Sequence, residues 1–333
     1  MPEIETTTTA LHPLFGGKNP YPDELPPAPP WRRFTGDVAE EVEPPKLSQR
    51  DSRRAETFRG DARLEEAVQA ALILRRPLLV TGIPGTGKSS LAYAVAQVLE
   101  LGAVLRWNIT SRSALRDGLY EYDALGRLNA AQFRENRSDI PPLEDFLNLG
   151  SLGTALLPRT KPRVLLIDEL DKSDIDLPND LLNLFEEGSF EIPELRRENR
   201  NEAVKIRTAD GETAQPVPIT KGVVRCQAFP FVVITSNGER EFSPAFLRRC
   251  VQYHFPDPQG EQLEAIVRSH LGELSPEEWS FVWGKFEEAR RGGMVATDQL
   301  LNALFLVQGK RETPERWSEV CEIVLKQLER QGR

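Results

Sequence analysis

Cysteine is scarce in this chain: Cys226, Cys250 and Cys321 are the only three, and none sits in C-x-x-C spacing. That leaves no disulfide framework and no cysteine-ligated zinc site to look for. Histidine is equally scarce, and His12, His254 and His270 lie too far apart in sequence to read as a metal-binding tract. No apolar run approaches the length of a membrane span. The opening MPEIETTTTA lacks the basic and then apolar segments of a secretory signal, so the cytoplasm is the expected compartment. Positive charge is also short, since 42 Lys and Arg against 51 Asp and Glu leave a net charge of −9. A surface that binds a phosphate backbone as a whole is therefore excluded, and only a local basic patch remains for nucleic acid.

What is present is the balance of a soluble globular protein, with 39% hydrophobic and 28% charged residues in 333, enough chain for two folded units. Ten of the 26 prolines fall between Pro2 and Pro45, in a stretch that includes PYPDELPPAPPW, which rules out regular helix or central strand there. Residues 1–60 read as an arm. Phe15, Tyr21, Trp31 and Phe34 give it more apolar surface than a disordered tail usually carries, which favours docking on its own domain or on a neighbour.

From Asp61 the pattern changes. DARLEEAVQAALIL puts Leu64, Val68, Ala71 and Leu72 on one helical face, PLLVTG reads as a buried strand, and SSLAYAVAQVLEL is a second amphipathic helix stopping at Gly102. AVLRWNI, VLLIDE and FVVITSN are further strands, the last two being continuous apolar runs of the kind covered by helices on both faces. Residues 61–255 thus form an α/β unit with a parallel sheet. After Pro256 the strand signals stop. Four helical stretches beginning near Gln259, Pro276, Thr297 and Pro314 make 256–333 a small all-helical domain, the last helix carrying Trp317, Val320, Val324 and Leu328 on one stripe.

GIPGTGKS, from Gly82 to Ser89, matches G-x-x-x-x-G-K-[ST] and lies between a strand and a helix, where its mechanism requires it. Gly82, Gly85 and Gly87, with Pro84 and Thr86, let backbone N–H groups wrap phosphates at the helix N-terminus that Ser90 enters. Lys88 reaches the β and γ phosphates of ATP, and the Ser89 hydroxyl suits Mg²⁺. The bland alternative, a glycine-rich turn with a surface lysine, does not explain why motif, strand and helix coincide. VLLIDE then delivers Asp168 and Glu169 where a buried strand leaves the core. Asp168 is suited to hold Mg²⁺ and Glu169 to polarise the attacking water, and helix capping is a weaker use because Asp174 and Asp176 stand nearer the next helix. Asn237 ends FVVITSN, from where its amide can face the γ-phosphate and the water, although an asparagine before glycine is also an ordinary turn residue.

In order and spacing GIPGTGKS, LLIDELDKS, ITSN and SPAFLRRC resemble the AAA+ ATPases, with the MoxR-type branch the closest match. LYEYDALGRLNAAQF and DLPNDLLNLFEEGSFEIPEL look like segments of that branch, and the likeness spans about Asp61 to Gly309. The resemblance implies an αβα P-loop sandwich followed by a helical lid domain, assembled as a hexameric homo-oligomer with ATP between subunits. It also implies a use for the arginine pair that closes FSPAFLRRC. One of them would reach the γ-phosphate of the next subunit, Arg249 being the closest match and Arg248 the second. One departure is visible: Thr297, Asp298 and Gln299 stand where many relatives carry a second sensing arginine.

Between the acid pair's helix and the FVVITSN strand lies an insertion, 189–228, made locally basic by Arg196, Arg197, Arg200, Lys205 and Arg207. It reads either as a solvated hairpin or as a contact surface facing a central pore. Three functions fit the chain. The resemblance favours a chaperone-like ring that remodels a protein partner, such as one of von Willebrand factor A type. A nucleic-acid motor or restriction-type ATPase using the insertion is weaker, because no helix-turn-helix, zinc finger or aromatic RNA platform accompanies it. The third is a slow nucleotide-gated scaffold in a signalling or defence assembly.

Overall fold

The computed structural model describes residues 11–22, 24–38, 40–132, 141–198, 202–211, 214–292, 295–308 and 314–325. The first ten residues of the arm, Arg200 of the basic insertion and Leu328 of the last helix lie outside them. The arm runs along its own chain. Leu14 is buried, Phe34 stacks on Phe229 with ring centroids 5.0 Å apart, and Gly36 N donates to Cys226 O at 2.9 Å. Arg32, only 6% exposed, donates to Glu186 Oε2 at 2.8 Å and to the carbonyls of Arg75 and Phe185. A buried guanidinium is tolerated where a carboxylate and carbonyls meet it, so this contact also fixes the arm's path. The arm ends in α1 (Gln49–Thr57), capped by the Ser48 hydroxyl.

Asp61 accepts a hydrogen bond from Leu64 N at 2.7 Å and so starts α2 (Ala62–Leu74), whose predicted apolar face is buried. β1 (Leu78–Thr81), α3 (Ser90–Val98) and β2 (Leu105–Asn108) follow. Sequence periodicity carries α3 to Gly102, but the helix ends at Val98. Gly102 instead bends the chain at φ 77° beneath the arm, where a Cβ would stand 2.6 Å from Pro44 Cγ. The chain next forms α4 (Leu115–Leu119), β3 (Tyr120–Tyr122), α5 (Ala124–Gln132), β4 (Leu147–Leu149) and α6 (Ser151–Ala155), with β3 and β4 antiparallel, before re-entering the sheet as β5 (Val164–Asp168). α7 (Leu177–Glu187) ends at Gly188 in the left-handed conformation that suits glycine there.

The insertion is ordered by its own apolar residues. β6 (Ser189–Glu191) pairs antiparallel with the later β9 (Val223–Arg225), and between them α8 (Pro193–Glu198) leads into a hairpin of β7 (Val204–Ile206) and β8 (Val217–Ile219). Ile192, Leu195, Val204, Ile206, Val217 and Ile219 are buried. Asp210 pins the far end to the main sheet by a two-pronged ion pair with buried Arg163, at 2.6 and 3.0 Å, just before β5 begins.

β10 (Phe231–Ser236), α9 (Pro244–Leu247) and β11 (Val251–His254) complete a five-stranded sheet in the order β11-β1-β10-β5-β2, all pairs parallel. Alternate residues separate onto its two faces, as a period of two demands. Leu78, Val80, Leu166 and Val233 pack with α2 and α3, whereas Leu79, Leu165, Ile167, Val232 and Ile234 pack with α6 and α7. The fold is therefore an αβα sandwich around a parallel sheet. α10 (Glu261–Leu271), α11 (Pro276–Gly292), α12 (Thr297–Gln308) and α13 (Pro314–Val324) follow, with a hydrophobic cluster of their own around Leu263, Val267, Phe286, Leu300 and Leu304.

Candidate functional site

The loop between β1 and α3 opens at the carboxyl edge of the sheet, the edge where parallel α/β sheets hold ligands. Its glycines are there for conformation and for space. Gly82, Gly85 and Gly87 have φ of 148°, 80° and 85°, and a Cβ on Gly82 would press to 2.9 Å from Phe255 O. Lys88 Nζ folds back to donate to Gly82 O and Ile83 O, both at 2.8 Å, and is only 7% exposed. Burial pushes this ammonium down to about 8, against the opposing pull of Asp171, Asp168 and Glu169.

That shift has a sign that can be measured. Folding lowers the lysine's pKa, so its burial cost is fully present below about pH 8 and is relieved as pH rises towards the unfolded value. Phosphate bound beside Lys88 restores the charged form. Calorimetry in buffers of different ionisation enthalpy is therefore expected to show ATP binding with uptake of close to one proton per site at about pH 9 and almost none at about pH 7. Equal uptake at both would mean that Lys88 does not titrate where its burial places it.

At the ends of β5 and β10 the polar groups converge. Asp168 Oδ1 accepts from the Ser89 and Thr235 hydroxyls, each at 2.7 Å, and Asp168 Oδ2 accepts from the Arg106 guanidinium on β2 at 2.6 Å. Burial raises the Asp168 carboxyl, but those three donors outweigh it and hold the group below the usual carboxylate range. Glu169 adopts a left-handed φ of 62°, unusual for a non-glycine residue and a form of strain that collects at functional sites. Its amide is held by Thr235 Oγ1 at 2.8 Å, and its carboxylate takes Lys172 Nζ at 2.7 Å and Asn237 Nδ2 at 3.4 Å. Asn237 is set in turn by buried Asp171, whose Oδ2 accepts from the Asn237 and Glu239 amides. Asp168 and Glu169 therefore do not cap α7.

Pro84 through Ser90, Asp168, Glu169 and Asn237 all line one cleft of about 430 Å³, a size that admits a nucleoside triphosphate. Two walls were not legible in the sequence. Arg54, Thr57, Phe58 and Arg59, from the segment read as an arm, form one side, because α1 packs on α3. Ile266, His270, Thr297 and Leu301 of the helical domain form another, and Asp298 Oδ1 would lie 2.7 Å from a Cβ on Gly85. Among the described lining residues that domain supplies no arginine or lysine. Arg106 and Thr235 were also missed, since a single polar residue in a strand carries no local sign of what it faces.

The donor set suits Mg²⁺ rather than a softer ion. A hydroxyl and a carboxylate 2.7 Å apart are hard oxygen ligands, and among the described residues no cluster of three His, Cys, Asp or Glu forms an all-protein metal cage. Arg248 and Arg249 stand outside this cleft. Buried Phe246 anchors α9 just before them, Arg249 Nε donates to Glu186 Oε1 at 3.2 Å, and exposed Arg248 has no side-chain hydrogen bond or ion pair among the described residues.

The family model for the AAA domain (dynein-related subfamily) matches residues 77–250. No curated protein matches. Among solved structures, the RuvB Holliday junction branch migration motor of Thermotoga maritima is 13% identical over 83% of this chain and 70% of its own, with a TM-score of 0.39. NtrX from Brucella abortus, solved in complex with ATP, is 12% identical over 75% of this chain, which spans about half (49%) of the NtrX chain, with a TM-score of 0.35. The family match runs from the start of β1's lead-in to Cys250 and covers just over half of the 333 residues, so the chain belongs to the AAA family, in its dynein-related subfamily.

Proposed function

We propose that this protein is a Mg²⁺-dependent ATPase of MoxR type that works as a homo-oligomeric, hexameric ring and remodels a partner protein. One observation carries the reading: phosphate loop, acid pair and Asn237 share one cleft, while both arginines of the FLRRC segment stand outside it on the same chain. Arg54, Arg59 and Arg106 of the same chain line the cleft, but an arginine of the FLRRC segment would reach a nucleotide from a second subunit. The two MoxR-like segments, which lie mainly on β3 and α5 and on α7 and β6, are what supports the branch. The three parts are the arm 1–60, the nucleotide-binding core 61–255 and the lid 256–333, with α1 of the arm serving as a wall of the core's cleft.

Ser89 Oγ and Asp168 would hold Mg²⁺, whose charge would offset that of the triphosphate when bound. Backbone amides of Gly85 to Ser90 bind the phosphates and Lys88 turns its ammonium from the loop carbonyls onto them. Glu169 takes the proton of the attacking water, and Asn237, 3.4 Å from its carboxylate, orients that carboxylate and the water. Arg249 of one subunit, or Arg248, stabilises charge on the transferring phosphoryl group of the next.

The nucleic-acid reading draws on exposed Arg197, Lys205 and Arg207, but Arg196 is already ion-paired with Glu191. In sizing and pull-down experiments, ATP with Mg²⁺ should assemble particles several times the mass of one chain. The Glu169→Gln protein should retain a partner in ATP that the Lys88→Ala protein releases. A monomer in every nucleotide state overturns the ring, and ATP turnover that rises only with DNA or RNA favours the motor.

A further inference from the structure

Arg106 does something the motif residues do not account for. It sits on β2, the sheet's edge strand, two residues before the pair Asn108–Asp168 and so on the same face, and sends its guanidinium into the cleft. There it meets Asp168 Oδ2 at 2.6 Å while Ser89 and Thr235 occupy Oδ1 at 2.7 Å each. Both oxygens of the Asp168 carboxylate therefore accept hydrogen bonds, and Oδ2 takes its bond from a fixed positive charge. Its side chain is 43% exposed, so the guanidinium has open cleft to move into.

We propose that Arg106 is the resident counter-ion of Asp168, occupying the carboxylate in the metal-free protein and giving way when a divalent cation binds. The inference rests on the reading of this cleft as a metal–nucleotide site. A guanidinium and a divalent cation repel each other when both lie against one carboxylate, so the two compete. Before the metal arrives, Arg106 cancels the Asp168 charge that would otherwise push away the phosphates of free nucleotide. Its presence thus weakens metal binding and strengthens metal-free nucleotide binding. A residue that only braced the fold would move both affinities the same way.

Two affinities of ADP complexes, which do not turn over, separate these cases: Mn²⁺ for the protein–ADP complex, by electron paramagnetic resonance, and ADP in excess EDTA, by calorimetry. In the Arg106→Gln protein, Mn²⁺ is expected to bind about tenfold more tightly and metal-free ADP about tenfold more weakly. Arg106→Lys, which keeps a charge without the planar fork, is expected to lie between it and wild type on both measures. Both affinities falling together, or neither moving by more than about twofold in Arg106→Gln, overturns the proposal while leaving the nucleotide site standing. Failure of the wild-type protein to bind ADP with Mg²⁺ present overturns the nucleotide site itself, and this inference with it.

Discussion

Lys88→Ala is expected to lose ATP binding, whereas Glu169→Gln is expected to bind ATP and hydrolyse it at least about a hundredfold more slowly, a positioned base contributing ~10²–10⁴ in rate. The two side chains fail differently because they occupy different parts of the cleft. Lys88 lies within the loop, its ammonium 2.8 Å from two loop carbonyls, and alanine there removes a buried cation that would turn onto the phosphates. Glu169 lies beyond the end of β5, with Asn237 and Lys172 on its carboxylate, and glutamine keeps its size while removing its ability to take a proton. Equilibrium binding of a fluorescent ATP analogue and phosphate-release assays on both proteins make the check. Near-wild-type turnover by Glu169→Gln removes Glu169 from the base role and leaves the water to another group.

How much of this could be read beforehand depended on whether a residue's task leaves a local mark. β5 and β10 were legible because strands covered on both faces must be apolar throughout, and VLLID and FVVITS are buried at every position. The loop was legible because phosphate wrapping demands glycine at fixed spacing. β11 was not foreseen: VQYH is an edge strand whose outward residues are polar, and it alternates half-buried with exposed. The arm's path was hidden for a different reason. What holds it is Arg32 reaching Glu186 across 154 positions of sequence, together with Gly102 making room for Pro44, and neither contact exists until the sheet has formed. The same holds for α1. Its helix was absent from the proline-dominated reading of 1–60, yet it carries Arg54 and Phe58 to the nucleotide cleft. The basic insertion misled in part, since its charges are conspicuous in sequence while its buried Ile192, Leu195 and Ile206, which fix its shape, are not.

The arginine pair gives the other large effect. If Arg249 acts on a neighbour's nucleotide, Arg249→Ala keeps ATP affinity, because its own loop from Gly82 to Ser89 is untouched, and loses most hydrolysis, such a finger contributing ~10³–10⁵ in rate. The geometry explains how it can be held ready: Nε rests on Glu186 Oε1 and one terminal nitrogen on Ala245 O, which leaves the remaining terminal nitrogen for a phosphate oxygen. Arg248 is more exposed and carries no side-chain partner among the described residues, so it is the better placed of the two to swing, and the less well oriented. Arg248→Ala is accordingly expected to be the milder change, and the reverse ranking would exchange their roles. Mixing distinguishes a finger from a structural residue. Lys88→Ala has an intact finger and an empty pocket, Arg249→Ala the opposite, so mixed rings contain interfaces at which a working pocket faces a working finger. Partial recovery of phosphate release is expected, limited by subunit exchange and by any need for concerted turnover around the ring. If mixed rings form and stay inactive while Arg249→Ala alone hydrolyses ATP at the wild-type rate, the two arginines are a solvated surface pair and the cleft completes itself within one chain.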